Sequence, residues 1–209
     1  GLEGFFDATM EAQGKSLRDF HSWGKLKFHP LHFYNPRVFQ NPFHLENALL
    51  TYRFLVNPKG FNLRELTLGV GELSLNGRLF AQRLPTGKWK IDTQVSSSPF
   101  DFEEARPYLP WKVFNPKFAK FLNKNVWGGT VTSLTLNTKG KVEELRDYKE
   151  GVRQGLYTGG FTFQGPSYRF HDELPPVKNV KGVAILKEGK LFFQEMTGIW
   201  QTSLITQAD

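Results

Sequence analysis

The amino-acid sequence predicts an all-β protein with a few short helices. Three observations carry that prediction. Apolar and polar residues alternate over most of the 209 positions, helical signals are few and short, and no residue cluster nominates site chemistry.

The chain begins in strand-like sequence, "GLEGFFDATMEAQG", and ends in another such stretch, "GIWQTSLITQAD", as expected of one segment cut from a longer protein. Residues 20–40, "FHSWGKLKFHPLHFYNPRVFQ", are aromatic and basic with two prolines and yield no assignment. "NPFHLENALL" carries an Asn-Pro helix start at Asn41 and Pro42, with Leu45, Ala48 and Leu49 facing one way. Strands follow. "LRELTLGVG" places Leu66, Leu68 and Val70 on one face; "ELSLNGRLFAQ" places Leu73, Leu75, Leu79 and Ala81 opposite Glu72, Ser74, Asn76, Arg78 and Gln82.

A second helix is expected in "DFEEARPYLP", where Asp101 caps, Glu104 follows three residues later, and Pro107 and Pro110 stop it. A third is expected in "NPKFAKFLNKNVWGG", with Asn115 as cap, Pro116 at the first helical position, and Gly128 and Gly129 ending it. Phe118, Phe121, Leu122 and Val126 form its apolar stripe, and Lys117, Lys120, Asn123 and Lys124 its polar side. Such a helix either plugs the end of a β structure or touches a membrane surface. Alternation resumes in "GKWKIDTQV", in "TVTSLTLNTKG" through Leu134 and Leu136, and in "YTGGFTFQG" through Phe161 and Phe163. "VKGVAILKEGKLFFQEMTG" reads as a hairpin about Glu188 and Gly189. Nine to twelve strands result, with a loose duplication of the order Asn-Pro helix, linker, strands.

Composition narrows the function. There are 27 Lys and Arg against 20 Asp and Glu, a net charge of +7, so the surface attracts anions, an anionic membrane or lipid head group among them. The charges are scattered and no RNA-recognition or OB signature is present, which argues against a nucleic-acid partner. With 0 cysteines there is no thiolate or disulfide chemistry. No apolar run approaches the length of a membrane-spanning helix. His21, His29, His32 and His44 fall early, but the His29 and His32 spacing lacks a carboxylate to complete a metal set, so no metal is expected. Glu103 with Glu104, and Glu143 with Glu144, are adjacent and cannot flank one bond. No nucleophile elbow, P-loop or dinucleotide fingerprint occurs, so neither an enzyme nor a cofactor is indicated.

Residues 105–198 carry a resemblance. The Tyr-Leu-Pro at 108–110, the helix leading to Gly128 and Gly129, "VTSLTLNTKG", "GGFTFQGPSYRF", the Leu-Pro-Pro at 174–176 and "VKNVKGVAILKEGKLFF" together resemble the AsmA-like superfamily, most closely its YhdP-type periplasmic region. The resemblance implies an elongated curved antiparallel sheet forming an open hydrophobic groove, with a few short covering helices, as a single segment spanning 1–209 in the periplasm of a Gram-negative bacterium, its parent protein anchored in the inner membrane. It further implies phospholipid as cargo, moved between inner and outer membranes, with envelope proteins as further partners.

On this reading Leu66, Leu68, Val70, Leu73, Leu75, Leu79, Leu134, Leu136, Phe161, Phe163, Val183 and Ile185 line the groove, and Phe118, Phe121, Leu122 and Val126 cover an end of it. The alternative for the lining set is an ordinary closed β core. The alternative function is a structural or protein-binding β scaffold of the cell envelope, contacting partners through free strand edges.

Overall fold

The computed structural model describes residues 2–36, 39–70, 73–109, 111–112, 116–146, 150–151 and 154–206. Where the sequence alternates, the chain pairs with itself. β1 (Leu2–Ser16), β2 (Asp19–Phe33), β3 (Phe43–Leu45), β4 (Ala48–Asn57), β5 (Gly60–Val70), β6 (Leu73–Arg83) and β7 (Trp89–Ser97) come first. The short β8 (Phe100–Asp101) leads into α1 (Phe102–Ala105), a 3₁₀ turn (Arg106–Tyr108), α2 (Pro116–Asn125) and β9 (Val126–Trp127). Then come β10 (Thr130–Lys141), α3 (Val142–Arg146), β11 (Tyr157–Gln164), β12 (Ser167–Tyr168), β13 (Val177–Lys187), β14 (Lys190–Trp200) and β15 (Ser203–Thr206).

These strands build one open 15-stranded sheet. Its spine runs β1-β2-β4-β5-β6-β7-β10-β11-β13, with β14 beside β13 and β15 beside β14. Every pairing is antiparallel, and each long strand lies beside the next long strand in sequence. The sheet is not closed into a barrel. Local turn chemistry explains the two-residue corner between β13 and β14: Glu188 and Gly189 adopt φ of 50° and 73°, the doubly positive turn that matches strand twist.

No second layer covers most of this sheet. Among the described residues the buried apolar set is Ala48, Ala105, Trp111, Ala119, Val131, Val180 and Ala184, and no large side chain is fully enclosed. The accessible area is 14132 Å² for a 24.0 kDa chain, where a compact protein of that mass exposes about 9,900 Å². A closed β core is therefore not what the apolar residues form.

Two helix expectations change. Residues 41–50 form no helix: Leu45 and Ala48 enter β3 and β4, opposite Leu31 and Phe28 of β2. An isolated helix of ten residues is marginal in water, and the long β2–β4 ladder outweighs its capping signals. Likewise α2 stops at Asn125, because Val126 and Trp127 pair with Tyr168 and Ser167 as β9. Gly128 and Gly129, with φ of 64° and 84°, end β9 rather than the helix. The expected cap Asn115, the stop Pro110 and the β6 flank Glu72 lie outside the described residues.

The two glycines differ in what a side chain would meet. A Cβ at Gly129 would stand 2.4 Å from the Pro166 nitrogen, whereas at Gly128 nothing lies within 4 Å. Gly129→Ala should cost about 2–4 kcal/mol from left-handed strain plus backbone overlap, and Gly128→Ala about 1–2 kcal/mol from strain alone. Denaturant melts of the two variants check the order; equal losses would contradict it.

Candidate functional site

Paired residues in antiparallel strands share a face, so the register traces one surface through the whole sheet. It starts at Phe6, Ala8 and Met10 of β1, opposite Phe28, Leu26 and Gly24. From β2 it passes to Leu50, Tyr52, Phe54 and Val56 of β4. These oppose Leu68, Leu66, Leu63 and Phe61 of β5. The next step is Leu75, Gly77, Leu79 and Ala81 of β6, then Val95 and Ile91 of β7. Leu134 and Leu136 of β10 follow, opposite Phe161 and Gly159 of β11. Ala184 and Leu186 of β13, with Phe193 and Leu191 of β14, complete it.

The reverse side holds Thr67, Asn76, Arg78, Gln94, Asp92, Asn137 and Lys139 along the same strands. The apolar surface thus runs over ten consecutive strands, nine spacings, or about 43 Å, and polar residues back it on β5, β6, β7 and β10.

Ten of the twelve residues read as lining share this surface: Leu66, Leu68, Val70, Leu73, Leu75, Leu79, Leu134, Leu136, Phe161 and Phe163. Val183 and Ile185 do not. They oppose Thr162 and Gly160 on the reverse side, while Gly182 and Ala184 face Phe163 and Phe161. Small residues are needed there, since Ala184 is 0% exposed and a Cβ at Gly182 would meet the Phe163 ring at 3.2 Å.

Two spacings of three would turn the surface over, and a bulge corrects each. β5 carries one extra residue at Arg64–Glu65 relative to both neighbours, so Leu63 and Leu66 stay on the same side. β10 carries one between Val131 and Ser133, which keeps Val131 and Leu134 together opposite Phe163 and Phe161. Sequence reading missed the whole β1–β4 share of the surface. Its signal is present in Lys25-Leu26-Lys27-Phe28 and in Leu50-Thr51-Tyr52-Arg53-Phe54, hidden by aromatics on both sides of β2.

Rings pave that share. Phe20 meets Phe54 edge-on at 5.7 Å, Phe54 stacks on Tyr52 at 5.5 Å and tilts against Phe61 at 5.4 Å. Among the described residues there, the buried polar Ser22 donates to the Glu11 carbonyl at 2.8 Å, which removes the cost of its hydroxyl.

The insertion between β8 and β10 reaches back toward the loop after β2: Lys112 Nζ donates to the Pro36 carbonyl at 2.9 Å, and β2 stands five strand positions from β10. Asp101 caps α1 by accepting from the Glu103 and Glu104 amides at 2.7 and 3.1 Å. In α2, Ala119 is buried, Phe118 and Leu122 are half-buried, and Phe121 lies on the Tyr168 ring at 5.6 Å. Val126, half-buried in β9, opposes Tyr168.

Arg106 ties the insertion together. Its Nη2 donates to Val126 O at 2.6 Å and Glu103 Oε1 at 2.8 Å, its Nη1 to Asn123 O at 3.3 Å, and its guanidinium covers the Phe102 ring at 4.8 Å. Glu103 in turn accepts from Gly128 N at 2.8 Å. Burial pushes the Tyr168 phenol up, keeping it neutral against Phe121.

Of the early histidines, His29 sits 3.4 Å from Asp7 and His32 touches His44; among the described residues no three potential metal ligands converge. Nor, among the described residues, is any helix long and apolar enough to cross a membrane. No family model, curated protein or solved structure matches the chain.

Lys124 Nζ and Asp172 Oδ2, 2.6 Å apart, fasten the end of α2 to the segment after β12. The Lys124 hydrogen bond holds the Asp172 carboxyl below its ordinary 3.8. A lowered carboxylate pKa stabilises the fold above the unfolded-state value, and that contribution disappears as pH falls through the folded-state value. Between pH 6 and pH 2 the wild type should therefore lose more stability than Asp172→Asn, by a small margin because the pair is exposed. Urea midpoints at both pH values measure it, and equal losses would contradict the linkage.

Proposed function

We propose that this chain holds and conducts phospholipid acyl chains along its apolar sheet surface, as one section of a path between inner and outer membranes. The observation that carries the reading is the continuous apolar surface running across ten strands, which no second layer covers over most of its extent among the described residues. Moving a sixteen-carbon chain through water costs about 13 kcal/mol at roughly 0.8 kcal/mol per methylene, so a carrier needs continuous apolar lining rather than reactive groups. An open sheet supplies that lining and leaves head groups in water, beside a protein of net charge +7.

The resemblance of residues 105–198 to YhdP-type AsmA-like proteins supports the same role. It also supports a periplasmic location in a Gram-negative bacterium, within a parent protein anchored in the inner membrane. The covering segment around α2 then shuts one rim of the groove, with its lysines toward solvent or anionic head groups. A scaffold reading draws on a different observation, that β1 and β15 each pair with one strand among the described residues.

Protein purified from a Gram-negative host, examined by native mass spectrometry with lipid extraction, should carry phospholipid. Leu68→Asp with Phe163→Asp should reduce the bound lipid at least tenfold while circular dichroism stays β-rich, because each buried carboxylate must be desolvated by an acyl chain. Ile185→Asp, on the reverse side, should retain it. Lipid-free wild type would move the weight to the scaffold reading.

A further inference from the structure

Four of the 5 histidines stand on β2 and β3, and strand parity turns all of them to the reverse side of the sheet. Leu26 and Phe28 belong to the apolar surface, so His21 and His29 face away from it. Pro30 is an extra residue relative to β1, for Gly4 opposes Leu31 while Phe5 opposes His29, and this bulge returns His32 to the side of His29. β3 then sets His44 directly opposite His32. Sequence spacing couples His32 with His29 on one strand; the fold couples it with His44 on the next.

The two rings meet head to head. Their Nδ1 atoms lie 2.5 Å apart, with ring centroids 4.6 Å apart and planes at 76°, and both residues are exposed. An imidazole Nδ1 carries either a lone pair or a proton, so a facing pair accommodates one shared proton at most; two lone pairs repel, and so do two N–H groups. A cation that accepts both lone pairs removes the conflict. The other three histidines are engaged elsewhere: His21 stacks on Trp23 at 5.2 Å, His29 Nε2 lies 3.4 Å from Asp7 Oδ2, and His171 Nδ1 accepts from the Glu173 amide at 3.3 Å.

We propose that His32 and His44 form a two-histidine chelate for a divalent transition-metal ion, of the class Cu(II), Ni(II) and Zn(II) that imidazole suits, and that the ion clasps β3 to β2. Bonds of about 2.05 Å put two nitrogens about 2.9 Å apart at a right angle and about 3.3 Å apart at a tetrahedral one, so the rings part by about 0.4–0.8 Å on binding. Exposed rings make that shift by small χ rotations, which a tightly packed pair could not. Water completes the coordination, because among the described residues no third ligand converges there. The clasp has a purpose in the fold. Among the described residues β3 pairs with β2 alone, through the three residues Phe43–Leu45, and the loop between them carries the Pro36 carbonyl that accepts from Lys112 of the insertion. Metal at the pair fixes that loop and, with it, the anchor of the insertion.

Copper and zinc salts alone serve as probes, on the intact chain without a histidine tag. Titration with Cu(II), followed by electron paramagnetic resonance, should give one site per chain with two nitrogen ligands. His32→Gln or His44→Gln should weaken that site by at least about tenfold, because the second imidazole binds intramolecularly, and should leave one nitrogen. His21→Gln, His29→Gln and His171→Gln combined should keep it. Zn(II) should raise the urea midpoint of the wild type and of this triple variant but not of His44→Gln. Equal Cu(II) affinity in the wild type and both single variants, a site lost in the triple variant, or Zn(II) that leaves the wild-type midpoint unmoved would each overturn the proposal. The pair lies on the side away from the apolar surface, so its failure leaves the lipid reading untouched, and lipid-free protein leaves the metal site standing.

Discussion

Everything in this structure depends on the parity of the pleat. Side chains alternate across a strand with period two, so a single-residue slip between any two strands would send the next strand's leucines to the reverse side and cut the apolar surface. Parity survives from β1 to β14 because irregularities fall where the sequence needs them. The extra residue at Arg64–Glu65 reconciles Leu63 with Leu66, and the one after Val131 reconciles it with Leu134. Arg64 and Glu65 themselves are exposed, so the bulge adds charge to solvent and none to the apolar side.

A sheet with one apolar surface ordinarily acquires a second layer. Here the helices are short and stand at the two ends of β10, α1 and α2 before Thr130 and α3 after Lys141, and the ladders themselves hold the fold. Lateral contacts between neighbouring strands, aromatic rows such as Phe20, Phe54 and Phe61, and large-against-small pairs such as Phe161 with Ala184 take the place of a central core. Such a molecule keeps its apolar surface available, which is what a lipid path requires.

Much of this was legible in the sequence because strands β5, β6, β10 and β11 alternate cleanly, and Glu188-Gly189 marks its hairpin. What was not legible lies in partner strands. Within "VAILK" both parities are apolar, and the larger Val183 and Ile185 look like better lining than Ala184; only the rings of Phe161 and Phe163 opposite decide for the small residues. In "NPFHLENALL" the helix-start chemistry is local and real, yet β2 supplies a longer-range competitor that no local pattern contains. Val126 continues the apolar stripe of α2 by spacing, but its backbone belongs to β9 because Tyr168 lies opposite.

The central claim is that one side of this sheet, and not the other, meets lipid. The most direct measurement places a photo-reactive benzophenone side chain at adjacent positions of a single strand, Thr67 and Leu68 in β5, then Leu136 and Asn137 in β10, irradiates the protein in a Gram-negative host, and weighs the adducts. The account predicts phospholipid adducts at Leu68 and Leu136 and none at Thr67 and Asn137. Adducts independent of the pleat, or protein adducts alone at Leu68 and Leu136, would contradict it.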